Sequence, residues 1–549
     1  MAAPCSAQSP IPEALNSRDL QTLVDLLEFA TATYADRPAY TSLGRCLSYR
    51  ELDQLSAAFA CYLQQETDLQ PGDRIAIQLP NIIQYPIVLF GALRAGLVVV
   101  NTNPLYTADE MLHQFKDSGA VALVILKSMA YQVEGIFSQT HLRHLVLTQV
   151  GDLHGFLKRT LINGAVKYLK HMQPAYDLPQ AVELRDCLNR HCGSQPSPVT
   201  LQHQDMAVLQ YTGGTTGVAK GAVLNHANLL ANILQVQKAL ESAANHWPDT
   251  VMSPLPLYHI YAFTCSQLVL LQGGHNVLIP NPRDLSSLLK VLGQHQVTSF
   301  LGLNTLFVGL CNQPEFAGLD FSRLVLTISG GMALTHKAAQ QWQAITGCQI
   351  VEGYGLSEAS PVVSLNPPDA PRIGSIGKAL PYTEWHLLGH DGQPVSSGDA
   401  GMLCIKGPQV MSGYWQQPQA TEDAFTADGF LITGDIGRCD EDGYLHLLDR
   451  AKDLIIVSGF NVYPSEVEDV VASHPDVLEC AVVGMPDETC GEVVRLCVVS
   501  KNPALDAAAL TKWCRAKLAA YKVPKQVDFF DDLPKTPVGK VLRRALRAT

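Results

Sequence analysis

A chain of 549 residues is longer than one hydrophobic core sustains and points to several domains. Its formal net charge of −12 excludes a general nucleic-acid binder, which needs clustered Lys and Arg. The 14 cysteines form no C-x-x-C pair or metal-type cluster and read as reduced cytosolic thiols.

The first residues, MAAPCSAQSPIPEALN, have neither a basic start nor an apolar run, so no secretory signal is expected. Ser48 and Glu51 form a capping-box pattern, and Leu52, Leu55, Phe59 and Leu63 follow at helical spacing, so a helix starts there. Asp73 to Leu79 alternates like a strand, Tyr85 to Ala95 reads helical, Leu97 to Val100 is a β-rich run, and Thr107 with Glu110 caps another helix. The apolar region from Tyr85 to Val100 is interrupted by Arg94 and Gly96, which favours a buried helix and central strand over a membrane span. Val121 to Leu126 closes a β-α-β-α-β series, which predicts a doubly wound parallel sheet.

Phe156 to Met172 could form an amphipathic helix, with Leu157, Leu161, Ala165, Tyr168 and Met172 on one side and Arg159, Lys167 and Lys170 opposite. That pairing suits the inner face of an anionic membrane, and it equally suits a surface helix packed on its own domain.

Tyr211 to Ala222 reads YTGGTTGVAKGA and is the stretch on which the rest converges. Gly213, Gly214 and Gly217 let backbone N–H groups approach an anion, Thr212, Thr215 and Thr216 add hydroxyl donors, and Lys220 supplies a charge. Val218 and Ala219 separate Gly217 from Lys220, so this is a phosphate loop but not a P-loop of the Walker type. A helix over Asn228 to Leu240 is expected to add its N-terminal dipole to the same anion.

Three further loops carry chemistry-bearing residues: LPLYHIYA with His259, the tight SGGM turn with Gly330 and Gly331, and EGYGLSE with Glu358. Downstream, TGDIG places Asp435 in a turn, and DRAK, Asp449 to Lys452, lies between two apolar runs as a plausible linker. The remaining helices and strands suffice for a small α+β domain, which ends in PKTPVGK with Lys540 in a loop.

Taken in order, YTGGTTGVAKG, EGYGLSE, TGDIG, DRAKDLIIVSGFNVYPSEVE and PKTPVGK make nearly the whole chain resemble the adenylate-forming superfamily of acyl-CoA synthetases, luciferases and peptide-synthetase adenylation domains. NPLYT, PLYHIYA, KGPQVMSGYW and SGFNVYPSEVEDVV look like bacterial long-chain fatty-acid:CoA ligases in particular. The resemblance implies an α/β fold: a large domain of doubly wound sheets with a β-barrel-like subdomain (residues 1–449), a hinge at 450–452, and a small mobile α+β domain (453–549). It also implies ATP, Mg²⁺ and coenzyme A, with a carboxylate first converted to acyl-AMP and AMP then displaced by the thiol.

Carried over by position, Thr212 to Lys220 would hold the β- and γ-phosphates and Glu358 would ligate Mg²⁺, with Thr212 and Ser357 as further oxygen donors. Tyr354 and Gly355 would flank adenine, Asp435 would accept from the ribose hydroxyls, and Arg450 would donate to ribose or phosphate. Lys540 would reach the attacking carboxylate and the α-phosphate. Lys452 matches the hinge, and Ser458 to Phe460, with Gly459, a segment lining the pantetheine channel. His259 and Phe263 would flank the acyl entrance, and Gly330 would let the carboxylate or chain pass. Ser357 stands where threonine is commoner, and the hydroxyl is retained.

Amino-acid adenylation is disfavoured because HIYAF offers no aspartate for a substrate ammonium. A medium-chain or aryl-acid ligase, and a catalytically inactive acyl- or nucleotide-binding protein, are the remaining alternatives. The expected location is cytoplasmic; contact with the cytoplasmic membrane and a homodimer stay open.

Overall fold

The capping box on Ser48 forms in full: Ser48 Oγ accepts from the Glu51 N–H, and the Glu51 carboxylate accepts from the Ser48 N–H, opening the helix Tyr49–Gln65. The computed structural model describes residues 11–169, 172–212, 219–246, 249–389, 391–396, 398–487, 489–536 and 540–547.

Among the described residues, the N-terminal β-α-β series builds a seven-stranded sheet. Its spatial order is Val182–Glu183, His144–Thr148, Ala122–Leu126, Arg74–Gln78, Val98–Asn101, Met206–Thr212 and Lys220–Asn225. Every pair is parallel except the last. Arg74–Gln78 shows no alternation, since four of its five residues are buried, as a central strand requires when helices cover both faces.

A nine-stranded sheet lies beside it, with Ile350–Gly355, Leu326–Ser329, Ser299–Gly302, Thr250–Ser253, His275–Leu278 and Pro38–Ser42 as its parallel centre. A four-stranded antiparallel sheet follows, made of Glu384–Leu388, Gly401–Lys406, Leu431–Cys439 and Leu445–Arg450. Asp435 therefore sits within a strand, opposite Arg450, and not in the turn expected from its glycine neighbours.

The helix after the phosphate loop also departs from expectation. The strand Lys220–Asn225 intervenes, and six residues carry the chain roughly 20 Å from the loop before helix His226–Ala239 begins. Its N-terminus is closed by its own Asn225 and Asn228 capping box, so its dipole does not serve the loop.

The chain beyond residue 454 packs on itself. Val462, Val467, Val482, Leu496 and Leu510 form a separate core under a sheet of Phe460–Val462, Ile455–Val457, Gly491–Ser500, Val477–Asp487 and Gln526–Phe529. The covalent joint is one turn, Ala451–Asp453. Just before it, the buried Asp449 accepts from Ser465 N (2.8 Å), Ser465 Oγ (3.0 Å) and Arg543 Nη1 (3.1 Å). Arg543 also pairs with Glu468 at 2.8 Å. Removing one partner of a buried ion group leaves an uncompensated charge, at a cost of about 3 to 5 kcal/mol. Asp449→Ala should therefore lower the denaturation midpoint of the small unit by several degrees in calorimetry, and an unchanged midpoint would show that the network adds no stability.

Candidate active site

The carboxyl ends of strands from both large sheets open onto one cavity of about 2190 Å³, the position at which open α/β sheets bind ligands. Thr212, Lys220, His259, Gly330, Tyr354, Gly355, Ser357, Glu358, Asp435, Arg450, Lys452 and Lys540 all line it. Gly213, Gly214, Thr215, Thr216 and Gly217 lie outside the described residues. The ends of their loop are fixed, because Thr212 pairs with Lys220 in the hairpin and its Oγ1 donates to the Lys220 carbonyl at 3.4 Å.

Tyr414 ties the cationic end of this loop to the acidic residue opposite. Its hydroxyl donates to Glu358 Oε1 at 2.8 Å, and Lys220 Nζ lies 5.1 Å from its ring centroid. The sequence reading missed Tyr414, although it lies in the KGPQVMSGYW stretch; nothing in one chain pairs it with Glu358.

On the other side, Asp435 accepts from the Tyr354 hydroxyl at 2.5 Å and from Arg450 Nε at 3.2 Å. Burial raises the Asp435 carboxyl above its usual range, against the pull of Arg450, the Tyr354 hydroxyl and Lys540. Two oxygens carry about four lone-pair sites, so the carboxylate retains acceptor capacity toward a ligand.

Lys540 enters from the small unit and lies over the Gly330-Gly331 turn: a Cβ on Gly331, whose φ is +82°, would stand 3.7 Å from Lys540 Cε. Burial, reinforced by Arg450 and opposed by Asp435, lowers its ammonium to about 8. His259 caps helix Ile260–Leu271, its Nδ1 accepting from the Tyr261 N–H at 3.4 Å. Burial, and then Lys540, lower it to about 3, so the ring is neutral and carries its proton on Nε2. It is a donor to the cavity rather than a cation.

Several expectations change. Phe263 is fully buried in the core, because on this helix the residues four apart, Tyr261 and Cys265, take the cavity face. Gly330 backs onto Tyr261, whose ring carbons lie 3.2 Å from where a Cβ would stand. At Gly355 a Cβ would stand 2.2 Å from the Pro361 carbonyl oxygen, so this glycine is required by packing. Gly459 is outside the cavity, exposed in the two-residue turn joining Ile455–Val457 to Phe460–Val462. Both turn residues have positive φ, +50° at Ser458 and +83° at Gly459, the geometry of a type I′ hairpin.

Glu352 opens the EGYGLSE segment, and the sequence marks it only as part of that motif. It is buried, its Oε1 accepts from the Leu334 N–H at 3.0 Å, and burial pushes it up to about 8, so it is protonated at neutral pH. Hydrophobic pattern alone cannot signal a carboxyl in a strand that is otherwise apolar.

Gly355→Ala should lower thermal stability by at least several degrees, since backbone must move to admit the methyl. A variant with wild-type melting and nucleotide binding would show that the site relaxes freely.

Residues 27–415 match the family described as AMP-binding enzyme, and residues 466–540 match the AMP-binding enzyme C-terminal domain. The chain is 49% identical over 539 residues to the long-chain-fatty-acid–CoA ligase of Salmonella typhimurium, covering 98% of this chain and 96% of that one. The crystal structure of ATP-bound MatB from Rhodopseudomonas palustris superposes with a TM-score of 0.81 at 30% identity, over 96% of this chain and 99% of that one. The anthranilate CoA ligase AuaEII in complex with anthranoyl-AMP shares the fold with a TM-score of 0.85 at 23% identity, over 97% and 98%.

Proposed function

The chain belongs to the AMP-binding enzyme family, and from that premise we propose that it joins a long-chain fatty acid to coenzyme A through an acyl-AMP intermediate. The observation that carries the reading is the meeting in one cavity of Lys540 with Arg450, Asp435 and Tyr354, opposite Lys220 and Glu358. The near full-length likeness to a ligase named for long-chain fatty acids supplies the substrate class.

In the first half-reaction a carboxylate oxygen attacks the α-phosphorus of ATP, and the bond to the bridging oxygen breaks to release pyrophosphate. Both partners are anions. Lys540 lies between the Gly330-Gly331 turn and Arg450, where its charge offsets their repulsion, and neutral His259 offers an N–H donor beside it. Asp435 holds the ribose hydroxyls and Tyr354 the base, while Thr212, Lys220 and the loop between them hold the departing phosphates.

Glu358 would hold Mg²⁺ with Thr212 and Ser357 as further oxygens. The fit rests on a carboxylate fixed by Tyr414 on a cavity wall that also carries two hydroxyls, a hard donor set. Among the described residues no cluster of three or more His, Cys, Asp or Glu could cage an ion, so substrate oxygens would complete the shell. Bound there, the ion would neutralise phosphate charge.

In the second half-reaction the coenzyme A sulfur attacks the acyl carbon, the thiol proton passes to solvent, and AMP leaves. A thiol needs positioning more than a base. The domains divide at 450–452, and the small domain turns about Lys452 to exchange Lys540 for the Ser458–Phe460 segment. The exposure of Gly459 while Lys540 is in the cavity supports that exchange. Because Gly459 also serves a type I′ turn, Lys540 is the cleaner probe of it.

No helix among the described residues is long and apolar enough to cross a membrane. Helix Phe156–Gly164 and the turn Ala165–Leu169 nevertheless expose Leu157, Leu161, Tyr168 and Leu169 at 77, 73, 67 and 81%, and bury no side chain. With Lys158, Arg159 and Lys167 and no acidic residue, this segment suits an anionic bilayer from which the fatty acid is taken.

Lys540→Ala should slow pyrophosphate release by about 10²–10³ while leaving conversion of preformed acyl-AMP to acyl-CoA near wild type; equal losses in both would contradict the split. In wild type, the kcat/KM of the first half-reaction should fall as pH rises through about 8, where Lys540 loses its proton, and a pH-independent rate up to 10 would remove that role. Assaying acids from acetate to oleate should give a maximum at long chains, and a maximum at short or aryl acids would overturn the substrate assignment. Leu161→Glu with Leu169→Glu should abolish sedimentation with vesicles containing anionic lipid and leave the rate on dispersed acid unchanged; retained sedimentation would exclude this surface.

A further inference from the structure

Helix His336–Thr346 begins five residues past Gly331, in the turn over which Lys540 lies, and its first turn carries no acidic residue. Thr335 is its N-cap, so His336 and Lys337 occupy the first two helical positions, where a cation opposes the helix dipole. Lys337 does not serve its own helix. Its ammonium reaches across to the small domain and donates to the carbonyls of Ala472 (3.2 Å), His474 (3.0 Å) and Val477 (3.4 Å).

Ala472 ends helix Pro464–Ala472, where free carbonyls and the negative dipole end favour a cation, while His474 lies in the turn that follows and Val477 opens the strand Val477–Asp487. Lys337 thus caps a helix of the domain that carries Lys540. The helix end that carries Lys337 is anchored in turn: Thr335 donates through N and Oγ1 to Asn304 Oδ1 at 3.0 and 3.1 Å, and accepts from the Ala338 N–H. Beside the joint the buried Asp449 also ties the two units through Ser465 and Arg543, and away from it the other ties are exposed pairs, His336 Nδ1 to Asp469 at 3.4 Å and Lys501 Nζ to Asn312 at 3.1 Å. The half-buried Lys337 is the contact that fills three acceptors at once.

We propose that Lys337 is a positioning residue for the first half-reaction: by capping helix Pro464–Ala472 it holds the small domain where Lys540 enters the cavity. The segment from Gly331 to Lys337 meets Lys540 at one end and clamps its domain at the other, so orientation of the domain and placement of the ammonium are set by one rigid piece. The inference rests on the two-step reading above.

The test is Lys337→Met, which keeps the length of the stem and removes the charge, beside Lys337→Arg, which restores a donor. Pyrophosphate release with ATP, Mg²⁺ and oleate reports the first half-reaction, and thioester formation from preformed oleoyl-AMP with coenzyme A reports the second. Lys337→Met should slow the first by about ten- to a hundredfold, the size expected for loss of a charge-assisted hydrogen-bond cluster, leave the second at or above wild type, and be largely rescued by arginine. An equal fall in both halves, or no fall in the first, would overturn the proposal. Should Lys337→Met misfold on thermal melting, Lys337→Gln is read by the same criteria. Wild-type protein that forms no oleoyl-AMP would overturn the functional reading and this inference with it, whereas an active wild type with an unsplit variant overturns the cap alone.

Discussion

In the proposed reaction Lys540 acts in the cavity as a cation although the cavity strips it of water, and much of the surrounding architecture bears on that conflict. Burial alone drives an ammonium toward its neutral form, and Arg450 adds to the push. Asp435 opposes both, and it is held for the purpose: Tyr354 donates to one oxygen, Arg450 to the other, and the strand pairing of Asp435 with Arg450 fixes their spacing. The outcome is a lysine lowered to about 8, still mostly charged at neutral pH. A fully solvated lysine would keep its charge more securely and exert less of it, because water would screen the field.

Much of this was legible in the sequence because local rules and global packing agree. The capping boxes at Ser48 and Thr107 and the β-rich runs near Val98 and Val121 each carry a strong local signal, and fall where pattern places them. What pattern could not give was pairing between distant segments. Asp435 reads as a turn because Gly434 and Gly437 flank it, yet a partner strand 15 residues on draws it into a sheet. Phe263 is expected at the acyl entrance only by the resemblance, and a helix with no polar face, buried nearly all round, hides which side faces the cavity. Tyr414 and Glu352 gain their roles from contacts 56 and 18 residues away in sequence.

The glycines divide in an instructive way. Gly355 and Gly330 sit in the chemically suggestive motifs, but a neighbouring backbone leaves no space for a side chain at Gly355, and at Gly330 the Tyr261 ring would have to give way by a few tenths of an ångström. Gly459 has open space around it and is required instead by its backbone angle. A motif glycine near a ligand site therefore has a packing role that must be separated from any direct one, and the charged and hydroxyl-bearing residues are the safer markers of chemistry.

The three-residue joint between the two domains has a further consequence for how strongly they need to hold each other. A short tether keeps the small domain at an effective local concentration on the order of millimolar, so contacts too weak to assemble two separate proteins suffice to seat it. The surface between them can accordingly be polar, a buried carboxylate at the joint, a lysine on a helix end and a few exposed pairs, without leaving Lys540 adrift. An apolar interface of the usual size would oppose the exchange proposed for the second half-reaction. Weak attachment on a short leash is what such an exchange would require.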